Sequence, residues 1–297
     1  MGRELNRQST GVVGLDEQLG GGLIPGTLTV VFGATGIGKT QLGIQYARAG
    51  LSDEQRSGII LDLGARGDSQ SHVDYAQRMY DWTLQSAPSH EPADWQELFD
   101  AQRQAGEYLH VFDYQGRRVT RQDLQWDDWH EWQAELNQKL RRTIAFLYGN
   151  FVQGVRRLVV DGVEPVGRPS DSIQLNLFEY VYHQVVRKEA QWVARDLFRQ
   201  RYRELAETVT AHDYDSKTVG SLLLYTSQET MLDEMIERPL DEGDALSNAN
   251  TLIYMGKIRE GNRVNRALYV AKHRGSECSD EIIPYEINDA GLQLAGS

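Results

Sequence analysis

Apolar residues along the chain alternate between short continuous runs and longer stretches in which they recur every third or fourth position. The runs predict strands and the longer stretches predict helices, because side chains repeat differently along the two elements. Their alternation indicates an α/β fold with a mainly parallel central sheet flanked by helices. Strands are predicted from Thr27 into Gly33 and at 58–63, 108–114, 157–161, 221–226 and 282–287, with a C-terminal β-hairpin formed by 251–259 and 264–272.

Between the strands, helices are predicted at 39–48, stopping near Gly50, and at 73–82. A longer helix carries one apolar stripe, which predicts packing against the core rather than an aromatic ligand site. The stripe consists of Trp129, Trp132, Leu136, Leu140, Ile144, Leu147 and Phe151. We expect a single domain over 1–297, with a loop insertion at 83–107 and an expanded helical segment at 170–210.

Composition narrows the class of protein. The chain has 297 residues, of which 40% are hydrophobic, and this is enough for one large core. Cys278 is the only cysteine, so no intrachain disulfide is possible. Nothing in the sequence resembles a signal peptide or a membrane span, and we therefore expect a cytoplasmic protein with no membrane partner. The net charge of −12 disfavours a general nucleic-acid coat protein.

The most informative motif runs from Gly33 to Thr40. It reads GATGIGKT and matches the phosphate-binding pattern GxxxxGK[ST] between a predicted strand and a predicted helix. Its glycines let backbone N–H groups point at a polyphosphate, Lys39 reaches the β- and γ-phosphates, and the Thr40 hydroxyl takes a place on Mg²⁺. The predicted nucleotide-binding residues are Gly33, Ala34, Thr35, Gly36, Ile37, Gly38, Lys39, Thr40 and Gln41.

An acidic residue at the end of a later strand is the expected partner of such a loop. Asp161 closes the apolar run RLVVD, where its carboxylate can bind Mg²⁺ through water beside Thr40. An aspartate that ends a strand is otherwise a common turn former. We favour the metal role because the phosphate loop and intervening strand–helix units precede it.

Four ordered stretches resemble the KaiC-like branch of the RecA superfamily, specifically a single-domain member. A lead-in, the phosphate loop, a strand segment and a tail carry the resemblance. They are STGVVGLD with LGGGL (9–23), GATGIGKT (33–40), LVVDGVEP (158–165) and AKHRGS with YEI and AGL (271–292). The resemblance implies a RecA-like P-loop NTPase that binds ATP and Mg²⁺ between the subunits of a homo-oligomer, such as a hexameric ring.

The resemblance also implies that Lys272 and Arg274 reach the γ-phosphate held by the neighbouring subunit. Two cations at alternate strand positions project to the same side, and a cation supplied in trans stabilises a transferring phosphoryl group. The alternative is that both are solvated charges at the end of a strand.

One departure from the family concerns hydrolysis. The family usually places paired glutamates after its second strand, one of which activates the attacking water, whereas this chain has Gly64 and Ala65. Asp62 and Asp68 are the nearest carboxylates, and Asp62 is the better substitute because alternation turns it to the same side as Gly64. Glu164, just past Asp161, is the other candidate acid. We therefore expect a weak ATPase.

The end of the predicted strand 221–226 provides another candidate. In related folds a polar residue at this point senses the γ-phosphate, and Gln228 occupies it within TSQE. The same residues also read as the capped start of a helix, with Ser227 or Thr226 as the cap. Sequence alone leaves both interpretations open.

Three functions follow from these features. The first is an oligomeric ATPase with slow hydrolysis that acts as a regulatory or signalling switch, and the second is a non-hydrolysing scaffold assembled by ATP. The third is a RecA/RadA-like DNA repair or recombination ATPase. It rests on a predicted helical face formed by Lys188, Arg195, Arg199 and Arg203. Nucleic acid is not favoured as a partner, because such faces are commonly solvated or paired and the chain is acidic.

Overall fold

The computed structural model describes residues 7–64, 71–89, 94–100, 105–112, 126–164, 172–238 and 245–295. Within these ranges the strands are Leu28–Gly33 (β1), Ile59–Asp62 (β2), Tyr108–His110 (β3), Arg157–Val163 (β4), Gly220–Thr226 (β5), Thr251–Glu260 (β6), Arg263–His273 (β7), Ile283–Asn288 (β8) and Gly291–Leu294 (β9). They form one sheet in the order β3-β2-β4-β5-β1-β6-β7-β8-β9. Pairing is parallel from β3 to β6 and antiparallel from β6 to β9.

The α-helices of the same ranges are Leu15–Gln18 (α1), Lys39–Asp53 (α2), His72–Tyr80 (α3), Trp126–Val152 (α4), Ile173–Val181 (α5), Ala190–Phe198 (α6), Tyr202–Ala211 (α7), Leu232–Glu237 (α8) and Ala245–Asn248 (α9). Short 3₁₀ turns cover Trp95–Phe99, Arg199–Arg201 and Ser216–Thr218, and Tyr182–Val186 forms a π-turn. Across the described part of the chain, none of the helices combines the length and apolarity needed to span a membrane.

Both faces of the parallel sheet are covered, as expected for strands that bury both sides. Every residue of β1 and β2 is buried. One core cluster packs α4 to α7 against the sheet, and a second packs α2, α3 and the β8–β9 hairpin against the opposite face. This arrangement confirms the predicted α/β class, with a mainly parallel sheet between helices.

The predicted apolar stripe of α4 packs into the first core cluster where its side chains are described. Ile144, Leu147 and Phe151 are buried, and Leu136 and Leu140 pack partly buried against the same cluster. Trp129 and Trp132 lie outside the described side chains. The described part of the stripe is therefore core, as its spacing indicated.

The extents of some predicted elements differ from those in the structure. α2 continues past Gly50 to Asp53, because one buried glycine within a packed helix costs only about 1 kcal/mol. The third strand ends at His110, and residues 113 and 114 lie outside the described ranges. The strand at Ile283–Asn288 is not the last, since it turns back into β9 at Gly291.

The segment predicted as a loop at 83–107 has structure in its described parts. Trp95–Phe99 forms a 3₁₀ turn that buries Trp95, Leu98 and Phe99 in the first core cluster. Ser86 also forms an isolated bridge with Tyr108 in β3. These residues therefore contribute to the core. The loop prediction missed this because it relied on the serines and prolines of the segment.

The predicted basic face is wrong, because its four residues do not share a helix. Lys188 precedes α6, Arg199 lies in a 3₁₀ turn with a φ of 50°, and Arg203 lies in α7. Arg195, in α6, places its guanidinium over the rings of Trp192 and Tyr202, 5.6 and 5.4 Å from their centroids. The segment is helical but broken twice, and it presents no continuous cationic stripe.

The buried guanidinium of Arg157 connects the C-terminal end of α2 to the sheet. Arg157, the first residue of β4, is 0% exposed. It forms ion pairs with Asp53 and Glu54 at the end of α2, and it donates to the carbonyl oxygens of Ser9 and Tyr46 at 2.6 and 3.0 Å. All sides of the cation are therefore satisfied within the protein.

We expect Arg157→Met to lower the free energy of unfolding by about 3 kcal/mol, because removing one partner of a buried ion pair leaves the other without its counter-charge. The loss should lie at the low end for such pairs, since Asp53 and Glu54 are partly exposed to water. Urea unfolding measures it, with the exposed Arg259→Met as the matched control. If Arg157→Met lowers the free energy of unfolding no more than Arg259→Met does, the ion pairs of Arg157 do not stabilise the fold.

Candidate functional site

The phosphate loop lies where β1 ends, and its backbone requires glycine. Gly36 and Gly38 have φ values of 72° and 109°, a region that residues with a Cβ rarely adopt. A Cβ on Gly38 would also lie only 2.7 Å from Ile287 Cδ1 of β8. The first residue of α2 is Lys39, so the helix N-terminus points its free N–H groups into the loop. Thr35 and Gly36 form the exposed rim.

The Lys39 ammonium lies at the mouth of this loop. Its Nζ donates to the carbonyl oxygens of Gly33 and Ala34 at 2.9 and 2.8 Å, and the side chain is buried. Burial lowers the pKa of Lys39 to about 8, an effect that the nearby Asp161 carboxylate partly opposes. A desolvated cation of this kind gains strongly from an anion, which suits a polyphosphate.

Thr40 of α2 and Asp161 of β4 meet beside the loop, although β5 lies between β1 and β4 in the sheet. Thr40 Oγ1 donates to Asp161 Oδ2 at 2.8 Å, and Asp161 Oδ1 accepts from the Gly162 N–H at 2.7 Å. Burial acts to raise the pKa of Asp161, but His72, Lys39 and Thr40 together hold it below its usual value. The carboxylate is therefore ionised and faces the Thr40 hydroxyl.

This pair fits Mg²⁺ bound together with a nucleotide. Among the described residues, no group of three or more His, Cys, Asp or Glu side chains is arranged to hold a metal ion. Mg²⁺ commonly takes one or two protein oxygens and completes its shell with waters and substrate phosphates. Thr40 would provide the hydroxyl oxygen, and Asp161 would accept hydrogen bonds from the waters of the cation.

Asp62 lies next to Asp161 at the same edge of the sheet, since the two are paired in the register of β2 and β4. Its Oδ1 accepts from the Gly64 N–H at 2.8 Å, and its Oδ2 accepts from the Tyr108 hydroxyl at 2.7 Å. The residue is buried. Gly64 is the second residue after this strand, whereas Ala65 and Asp68 lie outside the described residues. Both oxygens of Asp62 are thus already held by donors.

His72 belongs to the site and was missed by sequence reasoning. As the first residue of α3, it places Nε2 3.0 Å from Asp161 Oδ2 and Nδ1 3.5 Å from Asp62 Oδ2. Ser71 caps the helix in a capping box with Asp74, which fixes where α3 begins. The S-x-x-D pattern at 71–74 was the available signal for the start of this helix. It makes His72 the first helical residue, one residue earlier than predicted.

The end of β5 lies beside the phosphate loop. Ser227 N–H donates to the Gly33 carbonyl at 2.9 Å, and Gln228 is exposed just beyond it. The capped-helix interpretation is wrong, because the next helix begins at Leu232 and Ser227 instead bonds Glu229 through its hydroxyl at 2.5 Å. The role of Gln228 as a phosphate sensor stays a prediction.

Lys272 and Arg274 lie at the opposite edge of the sheet. Strand β6 connects the two edges. Its first residue, Thr251, pairs with His273, which lies between the two cations, whereas its residue Met255 pairs with Gly33 at the phosphate loop. Four residues of strand separate the two edges, which is roughly 13 Å. Lys272 Nζ donates to the Ser247 carbonyl at 2.8 Å, and Arg274 is exposed. The two cations therefore do not meet the phosphate loop of their own chain.

Two further predicted residues lie near the loop edge. Gln41 is half-buried in the first turn of α2, and Glu164 is half-buried immediately after β4. Glu164 follows Asp161 by three residues on the side of the sheet where the loop lies. Both lie at the end of the sheet where the loop lies, and their roles toward a nucleotide stay predictions.

The β8–β9 hairpin packs against the outside of the phosphate loop, a role that sequence reasoning also missed. The buried Tyr285 hydroxyl of β8 donates to the Ile37 carbonyl at 2.6 Å. Gln45 of α2 exchanges two hydrogen bonds with the backbone of Leu292, at 2.8 and 2.9 Å. Burial raises the pKa of Tyr285, so its hydroxyl keeps the proton that it donates. The tail therefore supports the conformation of the phosphate loop.

Comparison with known families agrees with this geometry. The family model described as "ATPase: KaiC" matches residues 8–174, more than half of the chain. The match includes the lead-in, the phosphate loop and Asp161, whereas the tail segment 271–292 lies beyond it. No curated protein matches the chain. The chain thus belongs to the KaiC family of ATPases, nucleotide-binding P-loop proteins of the RecA superfamily.

Proposed function

We propose that this protein binds ATP–Mg²⁺ at subunit interfaces and is a slow, oligomeric ATPase with a regulatory or signalling role. The observation that carries the proposal is the convergence of Lys39, Thr40 and Asp161 at the end of β1. A desolvated ammonium, a helix N-terminus and a hydroxyl–carboxylate pair 2.8 Å apart together suit a polyphosphate with its cation.

Assembly is supported by the location of Lys272 and Arg274. Because they lie at the edge of the sheet opposite their own loop, a phosphate role for them requires a second subunit. A ring or filament in which one loop edge faces the next subunit's opposite edge would supply both cations in trans. Such cations stabilise the charge of a transferring phosphoryl group.

Slow turnover is supported by the surroundings of Asp62. Gly64 carries no acid, and both Asp62 oxygens already accept hydrogen bonds. General-base assistance contributes roughly 10²–10⁴-fold to such reactions, so a site that lacks it retains mainly positioning and charge stabilisation. Among the described residues, Glu164 is another acid that could orient water.

The second candidate is a scaffold in which ATP joins subunits without turnover. The same hydrogen bonds favour it, because they already engage both oxygens of Asp62, the carboxylate that would replace the family's glutamate. The DNA-repair alternative has lost its main support, since the four basic residues at 188–203 are divided among separate elements.

The test measures binding, turnover and assembly of the wild-type protein together. We expect ATP–Mg²⁺ binding in calorimetry, slow phosphate release, and a larger sedimenting species when ATP–Mg²⁺ is present, because a ligand stabilises the species that binds it. Tight binding with assembly but no phosphate release would favour the scaffold. The absence of ATP binding by folded protein would refute both.

A further inference from the structure

We propose that His72 is a positioning residue that holds Asp161 in place for the divalent cation, and so couples cation binding to nucleotide binding. This inference rests on the proposed ATP–Mg²⁺ site and concerns a residue to which neither the motif nor the family resemblance assigned a role. It starts from a side chain that is 12% exposed and lies between the two carboxylates at the loop edge.

The contacts of His72 form a continuous polar chain. Asp161 Oδ2 receives both the Thr40 hydroxyl at 2.8 Å and His72 Nε2 at 3.0 Å. On the other side of the ring, Nδ1 lies 3.5 Å from Asp62 Oδ2, which also accepts from the Tyr108 hydroxyl at 2.7 Å. The imidazole therefore links the acid of β2 to the acid of β4.

The ring itself has little freedom. The capping box of Ser71 and Asp74 sets the first turn of α3, and the rings of His72 and Tyr108 lie 5.5 Å apart between centroids. Asp161 is likewise held on its other oxygen by the Gly162 N–H. With Oδ1 anchored to the backbone, the contact with His72 determines how Oδ2 faces Thr40.

Removing the ring would change the cation site in two ways. Asp161 would lose one of the two side-chain donors on Oδ2, and two buried carboxylates would face each other without a donor between them. Like charges at short range disfavour the ionised form that a divalent cation requires. Groups that hydrogen-bond a metal-binding residue typically change metal affinity by about 10–100-fold when they are removed.

The experiment measures ATP affinity by calorimetry at saturating Mg²⁺ and again in excess EDTA. The ratio of the two affinities is the coupling between cation and nucleotide. We expect His72→Ala to reduce this ratio by about 10–100-fold while leaving the affinity in EDTA unchanged. His72→Gln should recover part of the ratio, because its amide can still donate to Asp161.

His110→Ala is the matched control, since it removes a histidine at the same sheet edge whose ring nitrogen lies 3.0 Å from the Gly64 carbonyl oxygen. It should leave the ratio at the wild-type value. An unchanged or increased ratio in His72→Ala, or an equal loss with and without Mg²⁺, would overturn the inference. Failure of the wild-type protein to bind ATP would instead refute the proposed function.

Discussion

Lys39→Ala is expected to lower the affinity for ATP–Mg²⁺ by about 30-fold or more, because it removes the cation that would pair with the β- and γ-phosphates. Losing one partner of a buried, hydrogen-bonded charge pair costs about 2–5 kcal/mol, and each 1.4 kcal/mol is roughly tenfold in affinity. The ammonium lies within the loop and is already desolvated, so its pairing with a phosphate costs little further desolvation. Isothermal calorimetry with purified protein measures the change.

The control for this variant is Lys257→Ala, an exposed lysine on β6. It has the same charge change and should bind ATP as the wild type does. The stability of Lys39→Ala should not fall, since removing a buried cation with a lowered pKa relieves a desolvation cost. Wild-type affinity in a folded Lys39→Ala protein would show that the loop is not the nucleotide site.

The double variant Lys272→Ala with Arg274→Ala is expected to bind ATP but to lose about 10³-fold or more of its turnover, the scale associated with cations supplied in trans. Binding should persist because these residues lie at the edge opposite their own loop. Phosphate release under assembling conditions, compared with ATP affinity, separates the two effects.

Mixing two inactive proteins tests whether the cations act across an interface. The double-variant subunit keeps an intact phosphate loop, and the Lys39→Ala subunit keeps both cations. An interface in which the first subunit's loop faces the second subunit's cations would be complete. Random assembly of an equal mixture makes about a quarter of the interfaces complete, so about a quarter of wild-type turnover should return. If sedimentation shows mixed assemblies but the mixture releases phosphate no faster than either variant alone, the trans role is contradicted.

Local sequence patterns determined the parts of this site that are built from consecutive residues. The residues of GATGIGKT determine the backbone conformation of the loop, because glycine readily adopts the positive φ values at positions 36 and 38. The helix then starts at Lys39. Apolar runs likewise predicted the buried strands, and the run RLVVD placed an aspartate near the end of one of them. Each of these features depends on the chain's own neighbouring residues.

Only the tertiary structure decided which distant residues meet. The position of β5 between β1 and β4, the bridge from His72 to two carboxylates, and the bond from Tyr285 to Ile37 all join residues far apart in sequence. The same applies to Lys272 and Arg274, whose edge of the sheet follows from the antiparallel direction of β7. Strand order and direction are set by packing across the whole core, which hydrophobic periodicity within single elements does not encode.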